Sequence, residues 1–254
     1  MQREPFSAPV HGRRRFLGTI IAAAAGGGLA GCSGNLRREP PPGARASVEA
    51  PVLAVGDEWR HDVFDVYNGE KLRAVTRRVV AVEPERWRFE LIASGSDAAI
   101  TEVCTPGWRA LQTVPAPALG ELVFDPPLPL FDFPLETGRQ WAARTTALDA
   151  ATGRRNPVSV HARVRGWERV RVPAGEIETL VVARLLYLGD GDPFRTQTEV
   201  QATDWYAPSV RAVVRSDVTS WHYDVASAGD PGGPPLVRGA WERTELTGWS
   251  VARR

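Results

Sequence analysis

Between Val158 and Val172 the chain alternates: Val158, Val160, Ala162 and Val164 fall on one side of an extended strand, and His161, Arg163 and Arg165 on the other. A strand with one buried face carries this period of two. Shorter runs rich in valine and aromatics occupy Trp59 to Tyr67, Leu72 to Val82 and Trp87 to Ala93, separated by Asn68-Gly69 and by Glu83-Pro84-Glu85. Asn-Gly between two such runs predicts a two-residue hairpin, because both central positions need φ > 0. Leu180 to Leu188, Gln197 to Tyr206, Arg211 to Tyr223 and Val237 to Leu246 continue the pattern. No window holds three turns of i, i+3, i+4 apolar spacing without Gly or Pro. The pattern predicts a mainly β fold: an antiparallel meander closed into a barrel, half-barrel or sandwich, since closure removes free edges.

Punctuation divides this meander. Thr105 to Pro134 carries prolines at 106, 115, 117, 126, 127, 129 and 134. Proline cannot donate to a ladder, so the segment reads as a connector with short edge pieces at most. Gly229 to Pro235 reads as a surface loop. The connector separates two related stretches. Gly56-Asp-Glu-Trp59 is followed by a strand, a turn at Gly69 and a long strand; Gly138-Arg-Gln-Trp141 is followed by a strand, a turn at Gly153 and a long strand. We read two repeated β units, residues 51–104 and 135–254, flanking the connector 105–134 and joined in one domain 51–254. Each G-x-x-W is expected to deliver its Trp into the core.

The first 32 residues have the organisation of an export leader. Arg13, Arg14 and Arg15 precede a weakly apolar stretch from Phe16 to Ala30. That stretch is too short and too Gly-rich to span a hydrocarbon core, which takes roughly 20 apolar residues. Arg13, Arg14, Phe16 and Leu17 resemble a twin-arginine export signal, with Gly12 and Gly18 departing from its pattern. Leu29-Ala30-Gly31-Cys32 resembles a lipobox, which implies lipidation of Cys32 by a diacylglycerol and an acyl chain such as palmitate. The expected signal peptide is 1–32. Residues 33–50, polar and Pro-containing, are the expected flexible tether. By the same resemblance, Ser33 after the cysteine favours the outer membrane, facing the periplasm.

Charge sharpens this picture. The whole chain has 31 basic and 30 acidic residues. Four of those arginines lie in the leader, so the remainder is slightly acidic, which argues against a nucleic-acid partner. A single Lys among the basic residues marks a preference for Arg that runs through the chain, leader included. Two cysteines exclude a disulfide-dense scaffold, and with Cys32 acylated Cys104 is expected to be a buried small hydrophobe.

Chemistry-bearing motifs are sparse. No G-x-S-x-G, P-loop, H-E-x-x-H or Cys-pair pattern occurs, and no catalytic residue, metal ligand or cofactor is assigned. His61, His161 and His222 would need the fold to gather them with Asp62, Asp65 or Asp224 to hold a metal, and read more simply as polar-face histidines. Asp190-Gly-Asp192 reads as a turn, because Pro193-Phe194 breaks cation-loop spacing. Glu176 and Glu178 share one strand face, which is not the opposed geometry of a glycosidase pair. The candidate ligand-binding residues are Arg163 and Arg165, able to grip phosphate or headgroups, and the aromatic pair Trp205 and Tyr206. Nine Trp are mostly core, with one or two available to line a cavity.

Gly166-Trp-Glu-Arg-Val-Arg-Val-Pro-Ala-Gly175, Glu176 to Val182 and Trp205-Tyr-Ala-Pro208 resemble a family of bacterial exported proteins, TapB-like and built on a domain of unknown function. The chain departs from its pattern at Ile177 and at Ser209 to Arg211, where that family carries Gly and an aromatic. The resemblance implies a β-rich exported domain and transfers no site residues. Together these readings point to a lipid-anchored module of the cell envelope, held at the membrane by its N-terminal lipid, that either binds a lipid, a glycan or an envelope protein or serves in envelope assembly. The alternative is an envelope hydrolase acting on glycan or lipid, with a dispersed site that either uses a metal or does without one.

Overall fold

The computed structural model describes residues 46–96, 98–115, 120–189, 194–227 and 232–252. The expected signal peptide with Arg13, Arg14, Phe16, Leu17 and Cys32, the tether up to residue 45, and the Asp190-Gly-Asp192 turn lie outside them. Fourteen strands occur in chain order: β1 (Ser47–Val48), β2 (Glu58–Asp65), β3 (Lys71–Val82), β4 (Trp87–Ala93), β5 (Ala99–Cys104), β6 (Arg109–Thr113), β7 (Leu122–Pro129), β8 (Leu135–Glu136), β9 (Gln140–Asp149), β10 (Arg155–Val172), β11 (Gly175–Leu188), β12 (Thr198–Ala207), β13 (Ala212–Tyr223) and β14 (Leu236–Ser250). The one helical piece among the described residues is the short 3-10 turn Val225–Ser227.

Twelve of these strands form one closed antiparallel barrel, each paired with its chain neighbour, and β14 pairs back onto β2 to close it. Of the expected barrel, half-barrel and sandwich, the barrel is the one formed. Its alternation is as expected on β10: Val158, Val160, Ala162 and Val164 are buried, while His161, Arg163 and Arg165 are exposed. Outward positions of other strands are also charged, including Arg60, Arg78 and the Lys71–Asp62 pair at 2.8 Å. A membrane-spanning barrel carries an apolar band there.

The internal repeat is visible as matching hydrogen bonds. The Gly56 N–H donates to Val79 O while the Val79 N–H donates to Asp57 O, both near 2.9 Å (2.9 and 2.8 Å). Gly138 and Val164 repeat this with Arg139, both bonds at 2.9 Å. The next turns match too: the Gly69 N–H donates to Asp65 O and the Gly153 N–H to Asp149 O, each at 2.8 Å. Gly56 and Gly138 hold φ of 91° and 90°, a region that penalises any Cβ. The barrel is thus two runs of six strands, β2–β7 and β9–β14. Short β1 and β8, each preceding one run, pair with each other.

Three expectations need correction. The Pro-rich segment 105–134 is not a connector: β6 and β7 lie in it and are full members of the barrel. β7 pairs with β9 only from Leu122 to Asp125, before Pro126 and Pro127. Beyond that point its N–H edge has no ladder partner on β9, so the missing donors cost nothing. The Thr145 hydroxyl, on β9, instead donates to Pro126 O at 2.5 Å. The expected two-residue Asn68-Gly69 turn is longer, because the Asp65 N–H bonds Glu70 O and only Gly69 takes positive φ. The expected tether also ends earlier than residue 50, since Val48 is buried in β1 against β8.

The core is unevenly distributed along the barrel axis. Trp59, Val79, Phe89, Leu135, Val164, Leu180, Tyr206 and Leu246 form one cluster, joined by Val48 and Leu53 from the incoming chain. These side chains fill the end where the turns at 105–108, 173–174 and 208–211 lie; we call it the closed pole. Each large apolar side chain contributes about 1.5–3 kcal/mol by leaving water. A second cluster, including Phe124, Leu128, Val160, Leu186 and Val200, packs against the wall formed by β7 and β9–β12. Beside it the interior is not filled.

Candidate ligand-binding cavity

That unfilled part is a cavity of about 640 Å³, room for roughly twenty waters at ~30 Å³ each and within the usual range for a small-molecule site. Trp59, Phe131, Trp108 and Ala212 line it toward the closed pole; Ser96, Ala98, Val114 and Pro115, in the turns after β4 and β6, line its other end. Between them Val63, Val75, Leu91, Leu186, Val200 and Val218 make an apolar wall. The expectation that one or two Trp line a cavity holds for Trp59 and Trp108.

The wall is interrupted by charged side chains that point inward in phase with their apolar neighbours. On β3, Arg73 and Arg77 share the face of Val75 and Val79. Arg73 meets both carboxylate oxygens of Glu242 on β14, at 3.2 and 2.6 Å. On β11 and β12, Arg184 donates through Nε (2.8 Å) and a terminal nitrogen to one oxygen of Asp204, whose other oxygen accepts from the Ser216 hydroxyl at 2.7 Å. Asp204 is almost fully buried, at 2% exposure. Glu102 on β5 accepts from the Thr113 hydroxyl at 2.5 Å, and its second oxygen sits 3.1 Å from Arg77 Nε. That last contact is an ion pair without hydrogen-bond alignment.

Arg77 differs from the other two arginines. Its guanidinium lies 3.8 Å from the centre of the Phe89 ring and 5.5 Å from that of Trp108, a cation–π seat that fixes its orientation. Its terminal nitrogens make no hydrogen bond among the described residues. His61, on β2 and half-buried by area, directs its ring into the interior and places Nε2 3.2 Å from Val213 O. Burial pulls its pKa down to about 4, against the raising effect of that hydrogen bond. The imidazole is therefore neutral at physiological pH, and donating through Nε2 leaves Nδ1 as an acceptor. Cys104 is buried, as expected, and burial pushes its thiol up to about 12.

The aromatic floor is tightly built. Trp108, Phe131, Phe133 and Tyr206 contact one another with centroids 5.2–6.3 Å apart. Trp108 holds a left-handed φ of 55°, and its indole nitrogen is buried without a partner. Packing against three rings is what the fold sets against that strain. Burial also raises the Tyr206 phenol.

The four residues read from sequence as ligand-binding do not form one site. Arg163 and Arg165 are exposed on the outer face of β10. Trp205 faces outward on β12 under the Arg215 guanidinium, 4.6 Å from its ring, and Tyr206 faces inward as part of the floor. The three histidines are likewise apart: His61 is inside, His161 packs on Tyr187 at the outer face of β10, and His222 lies on β13. Arg169 is paired with Glu178 at 2.9 Å. His61, read from sequence as a polar-face histidine, lies instead on the inner face, and the inward charges Arg73, Arg77, Glu102, Arg184, Asp204 and Glu242 were not picked out from sequence. The signal was available: each shares parity with the apolar positions of its strand, as His61 does with Trp59 and Val63.

No protein-family model matches the chain, so the TapB-like resemblance stays at the level of its motifs, and no curated protein matches it. Solved structures do. A candidate lipoprotein from Parabacteroides distasonis is 14% identical, with 81% of this chain and 100% of that one covered at a TM-score of 0.45. The hypothetical lipoprotein YmcC from Escherichia coli is 14% identical over 76% of this chain and 84% of that one, TM-score 0.41. A candidate exported protein with a YmcC-like fold from Bacteroides fragilis is 13% identical over 80% and 99%, TM-score 0.44. None of these lends a site residue or a ligand to this chain.

Proposed function

We propose that the chain is an exported, lipid-anchored binding module of the cell envelope, and that its barrel carries an apolar small molecule. The observation that supports this most is the cavity of about 640 Å³, walled by valine, leucine and tryptophan within a closed barrel. A barrel of this kind with no ligand to hold gains more stability by filling its interior with side chains, because an apolar void forfeits packing. The leader supplies the second half of the reading: a basic start, a short apolar stretch and a small-residue box ending at Cys32. Two or more acyl chains on Cys32 would hold the domain stably at a membrane surface, and Ser33 directs it to the outer membrane.

Native mass spectrometry of the chain purified from its envelope fraction tests the binding half. The expected result is a co-purifying molecule below about 1 kDa that organic solvent extracts; a protein that is empty, and that takes up no hydrophobic probe, overturns it. For the anchor, Cys32→Ala should abolish palmitate incorporation and move the protein from the membrane to the soluble fraction. Undiminished labelling would overturn the lipobox reading and leave the cavity reading standing.

A further inference from the structure

We infer that the cavity selects an electrically neutral amphiphile, an ester such as an acylglycerol, whose carbonyl oxygen accepts from the free terminal nitrogens of Arg77, and not the anion of a free fatty acid. This rests on the ligand-carrying role proposed above and adds the chemical class.

The charges balance before any ligand enters. Arg73, Arg77 and Arg184 are matched by Glu242, Glu102 and Asp204, each pair within ion-pair distance. Arg215, the fourth arginine along the lining, is turned to the outer face over Trp205 and paired there with Asp217 at 2.9 Å; His61 is neutral, and the Cys104 thiol is protonated. A carboxylate placed against Arg77 would be a fourth anion facing three inward-pointing arginines, next to Glu102. A buried charge without a counter-charge of its own is disfavoured. A neutral ester meets no such opposition.

The hydrogen-bonding capacity is not balanced. All six carboxylate oxygens in the three pairs are engaged by arginine, Thr113 or Ser216. The terminal nitrogens of Arg77 are donors in want of an acceptor, held in place by Phe89. An ester carbonyl supplies an acceptor without adding charge, and a hydroxyl beside it has an acceptor in the His61 Nδ1 position. The apolar wall from Leu91 and Val75 to Leu186 and Val218 then takes the acyl chain.

The test uses the full chain and two probes with the same hydrocarbon tail, 1-monooleoylglycerol and oleate, both kept below micelle formation at pH 7.5. Binding is read by calorimetry and by the fluorescence of the tryptophans, of which Trp59 and Trp108 line the cavity. The ester should bind at least about tenfold more tightly than oleate, the effect of roughly one hydrogen bond or one unmatched charge. Glu102→Gln removes one negative charge beside Arg77 and should shift the preference toward oleate by about tenfold or more. Arg77→Met should cost the ester about tenfold and leave a plain hydrocarbon probe, hexadecane, unaffected. Circular dichroism checks that each variant is folded, and Glu102→Gln, which keeps the size of the side chain, carries the test if Arg77→Met is not. Equal or tighter binding of oleate by the unaltered chain overturns the neutral-ligand inference alone. Failure of monooleoylglycerol, oleate and hexadecane all to bind overturns the carrier reading itself.

Discussion

The carboxylate of Asp57 accepts a hydrogen bond from the backbone N–H of Ala252, 2.8 Å away and 195 residues further along the chain. Its other oxygen accepts from the Ala54 N–H at 2.9 Å and lies 3.8 Å from Arg211. Asp57 is 1% exposed, so one carboxylate ties together the entry to the barrel, its exit and the β12–β13 turn at the closed pole.

Replacing Asp57 with Ala leaves two backbone donors without their acceptor and the Arg211 guanidinium without its counter-charge. Urea unfolding should show a loss of about 3 kcal/mol, since hydrogen bonds to a charged group are worth ~1.5–3 kcal/mol and orphaned buried donors add their desolvation. Asp57→Asn, which keeps one acceptor oxygen, should lose less. A loss under about 0.5 kcal/mol for the Ala variant would show that the pole closes without this residue.

The repeat makes its own quantitative statement. Gly56→Ala and Gly138→Ala each add a Cβ at φ near 90°, with no heavy atom within 4 Å of it at either site. Sterics of the neighbourhood are thus absent, and the cost is backbone strain of roughly 1–2 kcal/mol. The two variants should be destabilised equally within experimental error. A large difference between them would mean that the two turns are not equivalent in the way their hydrogen bonds indicate.

Arg184→Met should be among the most damaging single changes in the barrel, because it leaves the carboxylate of Asp204 buried with only the Ser216 hydroxyl. Breaking a buried pair from one side costs about 3–5 kcal/mol. Arg184→Met combined with Asp204→Leu should recover most of that loss. Recovery, read from urea midpoints of the single and double variants, separates an unmatched charge from a simple packing defect.

His61 makes stability depend on pH in a stated direction. Its pKa is 6.5 when unfolded and about 4 when folded, so between those values the unfolded chain binds the extra proton. Its contribution is fully present above pH 6.5 and is lost as the pH falls toward 4, by up to about 3 kcal/mol. His61→Gln keeps a donor for Val213 O without a titrating ring, and should flatten this part of the pH–stability curve. A slope unchanged by that substitution would place the titrating group elsewhere.

Cys104, buried with a thiol pKa near 12, should be inert in the folded protein. In a Cys32→Ser chain at pH 8, an aromatic disulfide reagent should react about a thousandfold more slowly than with a model thiol of pKa ~8.5, and at the ordinary rate once urea unfolds the barrel. Prompt reaction in the native state would show that the thiol is open to solvent.

Much of the wall was legible in the alternation of residues. β10 follows its valines, and the Gly56 and Gly138 turns repeat because each G-x-x-W repeats. The β6–β7 hairpin was hidden because proline was weighed as a breaker. Pro126 and Pro127 are tolerated where β7 has already finished its pairing with β9, and pairing is a property of the partner strand, not of the local sequence.

The charged lining of the cavity was hidden for a related reason. Strand periodicity says which residues share a face, and His61, Arg73, Arg77, Arg184 and Asp204 do share the faces of buried valines and tryptophans. Read locally, a charge on such a face looks like an interruption. It becomes an interior pair only once the strands are paired: closure of β14 on β2 sets Glu242 across β2 from Arg73, Arg77 meets Glu102 across β4, and Arg184 meets Asp204 on the neighbouring β12. By itself, then, the sequence determined the strand class and the repeated turns, both set by neighbours within a few residues. Tertiary structure alone decided which of the expected closures forms, how much space stays inside it and which inward charges meet, because these depend on how the strands are arranged around the barrel.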